Sequence, residues 1–161
     1  MTNTTQNQIT LRPLVPEDYQ QAITLYNEFK GPPILLEGEA AKEHFAKIVE
    51  HSDTTIFGAQ LGERVVSMAT LHVLPNMTWG GRPYCLIENV ITLEAFQGRG
   101  IGSKTMEHLI KAAWEAGAYK IMLLTGKENT AYQFYGKFGF SQDQKRGMML
   151  RRVPSRHEIG A

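Results

Sequence analysis

The chain has 161 residues, 42% of them hydrophobic and 20% charged, with a formal net charge of +1 and one cysteine. That length suits one domain with a buried core, and the near-neutral balance argues against a nucleic-acid face built on bulk charge. One cysteine excludes an internal disulfide, and no apolar stretch approaches the roughly 18 residues of a membrane span, so a cytoplasmic protein without a membrane partner is expected.

Residues 1–8 (MTNTTQNQ) lack the basic-then-apolar pattern of a signal peptide and are expected to be a mobile lead-in. The folded domain is expected over 9–153, with a mobile tail over 154–161. ITLRPL (9–14) predicts a first strand, and Pro16 a helix start with Glu17 and Asp18 in its first turn. Ala22, Leu25, Tyr26 and Phe29 keep helical spacing up to a break at Gly31, Pro32 and Pro33. Ala41, Phe45, Ile48 and Val49 mark one face of a second helix over 39–50. Residues 54–61 and 64–74 flank Gly62 and Glu63 as a β-hairpin, and 84–92 (YCLIENVIT) reads as the next strand. Met106, Leu109, Ile110, Ala113 and Trp114 line an amphipathic helix ending near Gly117. A buried strand over 119–126, a short helix over 129–137 and a final strand over 147–152 (GMMLRR) complete an α+β fold.

QGRGIGS (97–103) places glycines 98, 100 and 102 where the long helix should begin. Glycine costs about 1 kcal/mol against alanine inside a helix, so the cluster needs a reason. At a helix N-terminus it leaves backbone N–H groups open to a close ligand, and the helix end adds partial positive charge, which suits a phosphate or pyrophosphate. The plainer alternative is a turn that merely bends the chain. A dinucleotide fingerprint fails, because the third glycine comes one position early and no acidic residue follows at the required distance. A Walker A loop fails on the order Gly102-Ser103-Lys104.

Gln97-x-x-Gly100-x-Gly102 after a strand resembles the pyrophosphate loop of the GNAT superfamily of acyl-CoA-dependent N-acetyltransferases. AYQFYGKFGF (131–140) is similar to a second family segment, and the helix and strand between the two motifs match as well. ENVITLEAFQGRGIG and YKIMLLTGKENTAYQFYGKFGF resemble glucosamine-phosphate N-acetyltransferases within the superfamily. The resemblance implies a single-domain GNAT-like fold, with a central mixed, mostly antiparallel sheet flanked by helices on both faces. It implies acetyl-CoA as co-substrate, the backbone of Val90, Ile91 and Thr92 on the pantetheine, and Gln97, Gly98, Arg99, Gly100, Ile101, Gly102 and Ser103 around the pyrophosphate. Lys104 is also placed for phosphate. Asn129 matches a cofactor-touching asparagine, although it lies six residues before Tyr135 where the family usually has seven.

Acetyl transfer to an amine needs a proton removed and a leaving thiolate stabilised. For an amine with a pKa of about 10.4, reaching the neutral form at pH 7 costs roughly 4–5 kcal/mol, which a general base offsets. Strict alternation places Tyr84, Leu86, Glu88, Val90 and Thr92 on one face of their strand, and Cys85, Ile87, Asn89 and Ile91 on the other. A carboxylate within a strand is costly unless partnered, so Glu88 is either the base or half of a structural pair. Asn89 suits orienting substrate, since its amide does not titrate. The resemblance makes Tyr135 the acid for the departing sulfur, and a core aromatic beside Phe134, Phe138 and Phe140 is the alternative. The five histidines show no metal-ligand spacing, and Cys85 reads as a small core residue.

In this family the acceptor enters near segments that here are 30–38 and 75–83. Trp79 and Met77 could wall that entrance or pack a homodimer, and Arg82 could hold a phosphate. Neither segment has an acidic cluster, which disfavours a polycationic acceptor. A small-molecule amine such as an amino sugar phosphate is the leading acceptor, with a protein lysine or N-terminus as the alternative. A non-catalytic acyl-CoA sensor and a nucleotide binder of another fold complete the readings. Dimers are common in the superfamily, and an exposed final strand would supply a pairing edge.

Overall fold

The computed structural model describes residues 8–29, 35–126 and 131–152. The chain forms two compact units, Met1–Leu123 and Leu124–Ala161. In the first, strand β1 (Ile9–Pro13) leads through a 3-10 turn (Pro16–Asp18) into helix α1 (Tyr19–Glu28). Helix α2 (Gly38–Val49), strands β2 (Thr54–Leu61), β3 (Arg64–Leu74) and β4 (Tyr84–Thr92), helix α3 (Ile101–Glu115) and strand β5 (Ile121–Leu123) follow. The five strands form one sheet in sequence order, antiparallel except for the parallel pair β4–β5. This is the expected α+β class with a mixed, mostly antiparallel sheet.

Strand register assigns the two faces. Phe57 pairs with Ala69 and Leu71 with Ile87, and the Phe57 ring meets His108 of α3 edge-on at 4.9 Å, so these residues line the α3 face. Ile56 lies on the opposite face in a core with Leu14, Leu25, Phe45, Met68 and Ile91, beneath α1 and α2. Tyr19 meets Phe45 edge-on at 5.8 Å, joining those two helices. The alternation of apolar residues along β2 and β3 thus buries both faces of the sheet, as two-sided helical cover requires.

The entry to α1 is fixed by charge. Arg12 donates to both carboxylate oxygens of Asp18, at 2.7 and 2.9 Å, and the Val15 N–H donates to Asp18 at 2.9 Å. The Arg12 hydrogen bond, with help from Val15, holds the Asp18 carboxyl below its ordinary value although burial opposes this.

Three expectations are corrected. Residues 147–152 form no strand: Met148 and Leu150 are 98% and 101% exposed, and no described strand pairs with them. Their apolar residues run consecutively, with no alternation to bury one face. The pairing edge expected of a final strand is therefore absent among the described residues. The strand over 119–126 shortens to Ile121–Leu123 and is only half-buried, because it pairs with β4 on one side alone. The helix expected from Pro16 begins as the 3-10 turn. In the second unit, helix α4 (Ala131–Gly136) lies within the short helix expected over 129–137. Residues 1–7, 153–161 and Asn129 lie outside the described residues.

Asp18→Asn should lower stability at pH 7 by about 1–3 kcal/mol in urea denaturation, discounted for the partial exposure of Arg12. Because the native-state pKa of Asp18 is depressed, its contribution is complete above the ordinary value of 3.8 and is lost as pH falls through the lower native value. The gap between wild type and variant should therefore close on acidification below about pH 4.

Candidate active site

β4 carries an extra residue. Thr70 pairs with Glu88 and Met68 with Ile91, so Asn89 and Val90 together oppose Ala69. This is a β-bulge, and Asn89 takes φ +52°, in the left-handed region that asparagine tolerates better than most residues. The bulge overturns the alternation expected for this strand. Met68 and Thr70 are two apart and share a face, so Glu88 and Ile91 share it too. Thr92 consequently turns to the α3 face, where its hydroxyl lies 2.9 Å from that of Ser67. Glu88 is half-buried on the α1–α2 face, and Asn89 is exposed.

From Thr92 the chain passes through a further 3-10 turn (Glu94–Phe96) into the glycine segment. Gly98 and Gly100 take φ +72° and +76°, while Gly102 lies inside α3 without a positive φ. Two of the three glycines are thus required by backbone conformation. Gly100 caps α3 with no side-chain hydrogen bond, and the first intrahelical bond runs from the Lys104 N–H to the Gly100 carbonyl at 3.1 Å. The N–H groups of Gly100, Ile101, Gly102 and Ser103 therefore have no intrahelical acceptor. Such a helix end can receive a diphosphate.

Buried hydroxyls connect this turn to the strand. Ser67 Oγ donates to the Ile91 carbonyl at 2.9 Å, which leaves the Thr92 hydroxyl as donor to Ser67. Thr105 Oγ1 lies 3.1 Å from Ser67 Oγ and 3.0 Å from the Ile101 carbonyl, so its single proton serves one of the two at a time. The Gln97 side chain donates to the Thr92 carbonyl at 3.0 Å and so braces the loop. Arg99 and Arg64 both lie over the Phe96 ring, 5.3 and 5.4 Å from its centroid, and give the turn a basic rim. Val90, Ile91, Thr92 and the residues from Gln97 to Ser103 are thus brought together. Lys104 is exposed on the first turn of α3.

Above the α1–α2 face lies a cavity of about 260 Å³ lined by Tyr26, Lys47, Ile48, His51, Thr54, Ile56, Thr70, His72 and Asn89. Tyr26 hydrogen-bonds Thr70, and burial holds its phenol above its ordinary value, so its proton stays on at neutral pH. Glu88 pairs directly with Thr70 of the cavity wall. Trp79 and Arg82 do not line this cavity. Trp79 stacks on Tyr119 at 5.2 Å and is 70% exposed, and Arg82 is exposed in the loop before β4. Cys85 is buried, which pushes its thiol up and makes it a poor nucleophile.

Most of the polar cavity wall was missed in the sequence, because its residues come from five elements and a loop between Tyr26 and Asn89. The local signals were Thr70 and His72 within the apolar run of β3, and Asn89, read as orienting substrate. In the second unit, Tyr135 is half-buried and meets Phe134 and Phe140 edge-on at 5.2 and 6.3 Å. No helix among the described residues is long and apolar enough to cross a membrane.

The profile of the Acetyltransferase (GNAT) family matches residues 20–140, from α1 through the glycine turn to the second motif. The chain belongs to this family. The reading as a nucleotide binder of another fold is thereby set aside. The chain is 30% identical over 92 residues to a glucosamine 6-phosphate N-acetyltransferase of Trypanosoma brucei brucei, covering 57% of this chain and 61% of that protein. A protein of Oryza sativa subsp. japonica, provisionally named glucosamine 6-phosphate N-acetyltransferase 2, is 28% identical over 138 residues, covering 82% and 81% of the two chains. The solved structure of a candidate acetyltransferase from Agrobacterium tumefaciens str. C58 superposes with a TM-score of 0.82 at 40% identity, covering 89% of this chain and 99% of that one.

A Cβ added at Gly100 would meet nothing within 4 Å, so the cost of Gly100→Ala is backbone strain alone. The variant should lose about 1 kcal/mol in urea denaturation with an unchanged m-value. Gly102→Ala, at a position without positive φ, should not carry that loss.

Proposed function

We propose that the protein transfers the acetyl group of acetyl-CoA to the primary amine of a small molecule by direct attack on the thioester. The observation that carries this reading is the junction of β4 and α3. A bulged strand end and a helix N-terminus with four unbonded N–H groups are tied together by Ser67, Thr105 and Gln97. In this reading Gly98, Arg99, Gly100, Ile101, Gly102 and Ser103 surround the pyrophosphate, and the backbone of Val90, Ile91 and Thr92 holds the pantetheine. Fixed N–H donors of the bulge would polarise the thioester carbonyl as an oxyanion hole does.

Glu88 takes the ammonium proton, directly or through water. The neutral nitrogen then bonds to the carbonyl carbon, the C–S bond breaks, Tyr135 supplies a proton to the departing thiolate, and the second proton lost by the new amide nitrogen restores the Tyr135 phenol through solvent. Asn89 beside Glu88 orients the amine. The buried Cys85 thiol supports direct transfer over an acyl-enzyme route. The names of the relatives suggest an amino sugar phosphate as the acceptor.

Glu88→Gln should lower kcat by about 10²–10⁴ in an assay of thiol release, while calorimetric affinity for acetyl-CoA stays within about twofold. Tyr135→Phe should lower kcat with the same retention of binding. Full turnover by Glu88→Gln would remove its role as base.

A further inference from the structure

The cavity over the α1–α2 face has two chemically different ends. Thr70 and Asn89 stand at one, with Glu88 directly across the ladder from Thr70. Thr54 and His72 form a cross-strand pair at the other; His51, whose carbonyl accepts from the Thr54 N–H at 3.4 Å, lies beside that pair, and Lys47 of α2 is about one helical turn before His51. Thr70 and His72 are two residues apart on one strand, so the ends are separated by about 7 Å.

Every titratable side chain in the lining besides the Tyr26 phenol is basic: Lys47, His51 and His72. His51 is held in one tautomer, because the Asp53 N–H donates to its Nδ1 at 3.1 Å. Its neutral ring therefore carries the proton on Nε2, as a donor. His72 Nδ1 lies 2.9 Å from Thr54 Oγ1, which fixes that ring against the wall. Lys47 also sits in the last turn of α2, where it offsets the helix's partial negative end. The Glu88 carboxylate beside one end, on the ladder neighbour of Thr70, and a lysine with two imidazoles in the wall match a molecule carrying an ammonium and an anion on opposite tips. At about 260 Å³ the cavity has room for a small metabolite.

We propose that the acceptor is a small primary amine bearing a phosphate or carboxylate about 7 Å from its nitrogen, with the anion held by Lys47, His51 and His72 and the amine at Glu88 and Asn89. This rests on the transferase reading and adds the position of the anion and a required charge separation. The cavity thereby selects its acceptor by charge at the end remote from the chemistry, where uniform binding lowers KM.

The test compares matched amines by thiol release from acetyl-CoA: glucosamine 6-phosphate against glucosamine, and 5-aminopentanoate against pentylamine. The charged member of at least one pair should have a kcat/KM higher by about tenfold or more, and the pair that responds identifies phosphate or carboxylate. Lys47→Met should erase most of that advantage through KM and leave acetyl-CoA affinity unchanged. Lys42→Met, on the exposed part of the same helix, should retain the advantage. Equal efficiency within both pairs, or an equal loss for charged and neutral amines in Lys47→Met, would overturn the proposal.

A binding readout separates this claim from the transferase reading. Inorganic phosphate or acetate should shift the ring resonances of His51 and His72 in the wild type and not in Lys47→Met, whether or not any amine is acetylated. Unmoved rings with both anions would remove the anion site even in an active enzyme. Shifted rings with no turnover on any amine would leave the site standing and count against the transferase reading alone.

Discussion

Between Glu88 and Ile91 the fourth strand has one residue more than the strand it pairs with, and Asn89 absorbs the excess in a left-handed conformation. Without it, Glu88 and Ile91 would lie on opposite faces, and either the carboxylate would enter the α3 core or Ile91 would leave the α1–α2 core. With it, Glu88 stays beside the cavity while Ile91 returns to the hydrophobic cluster and Thr92 joins the buried hydroxyls around Ser67. A left-handed non-glycine residue costs about 1–2 kcal/mol, which the paired ladder on both sides of the bulge has to offset. The ladder resumes on each side, from Tyr84 to Glu88 and again at Ile91 and Thr92.

The segment that follows is rigid for a related reason. Ser67 sits on β3, Thr92 ends β4 and Thr105 lies in α3, and their hydroxyls meet where no solvent reaches Ser67 or Thr105. Each group in such a network needs its partner, since an unsatisfied buried hydroxyl costs about 1–3 kcal/mol. The network therefore keeps the strand end and the helix start in one relative position. From the other end, the Glu94 N–H donates to the Glu28 carboxylate at 2.7 Å, joining the connecting turn to α1. Backbone donors aimed by such a frame need no reorganisation when a charged ligand arrives.

Local signals made most of the fold readable. Period-two alternation in β2 and β3, the apolar stripe of α3 and the glycine–glutamate turn between β2 and β3 all lie within a few residues of their effect. The glycines at 98 and 100 were legible as a turn and are used for the positive φ that only glycine adopts cheaply. The bulge was not legible, because an asparagine in an apolar strand, although uncommon there, does not reveal how many residues the partner strand sets opposite it. Its consequence was large: one inserted residue reverses every assignment downstream. The cavity was hidden for a different reason. Lys47, His51 and His72 each read as ordinary polar residues of a surface helix, a loop and a strand, and only the tertiary fold collects them. The apolar run at 148–150 suggested a strand, yet β-structure needs a partner as well as a propensity.

The central claim is that the amides of this turn and of the adjoining strand end bind the coenzyme. A titration of the isotope-labelled protein with acetyl-CoA, followed through backbone amide resonances, tests it most directly. The account predicts that the largest shifts fall on the N–H groups of residues 90–92 and 98–103. Saturable binding that leaves those amides unmoved while others shift would contradict it.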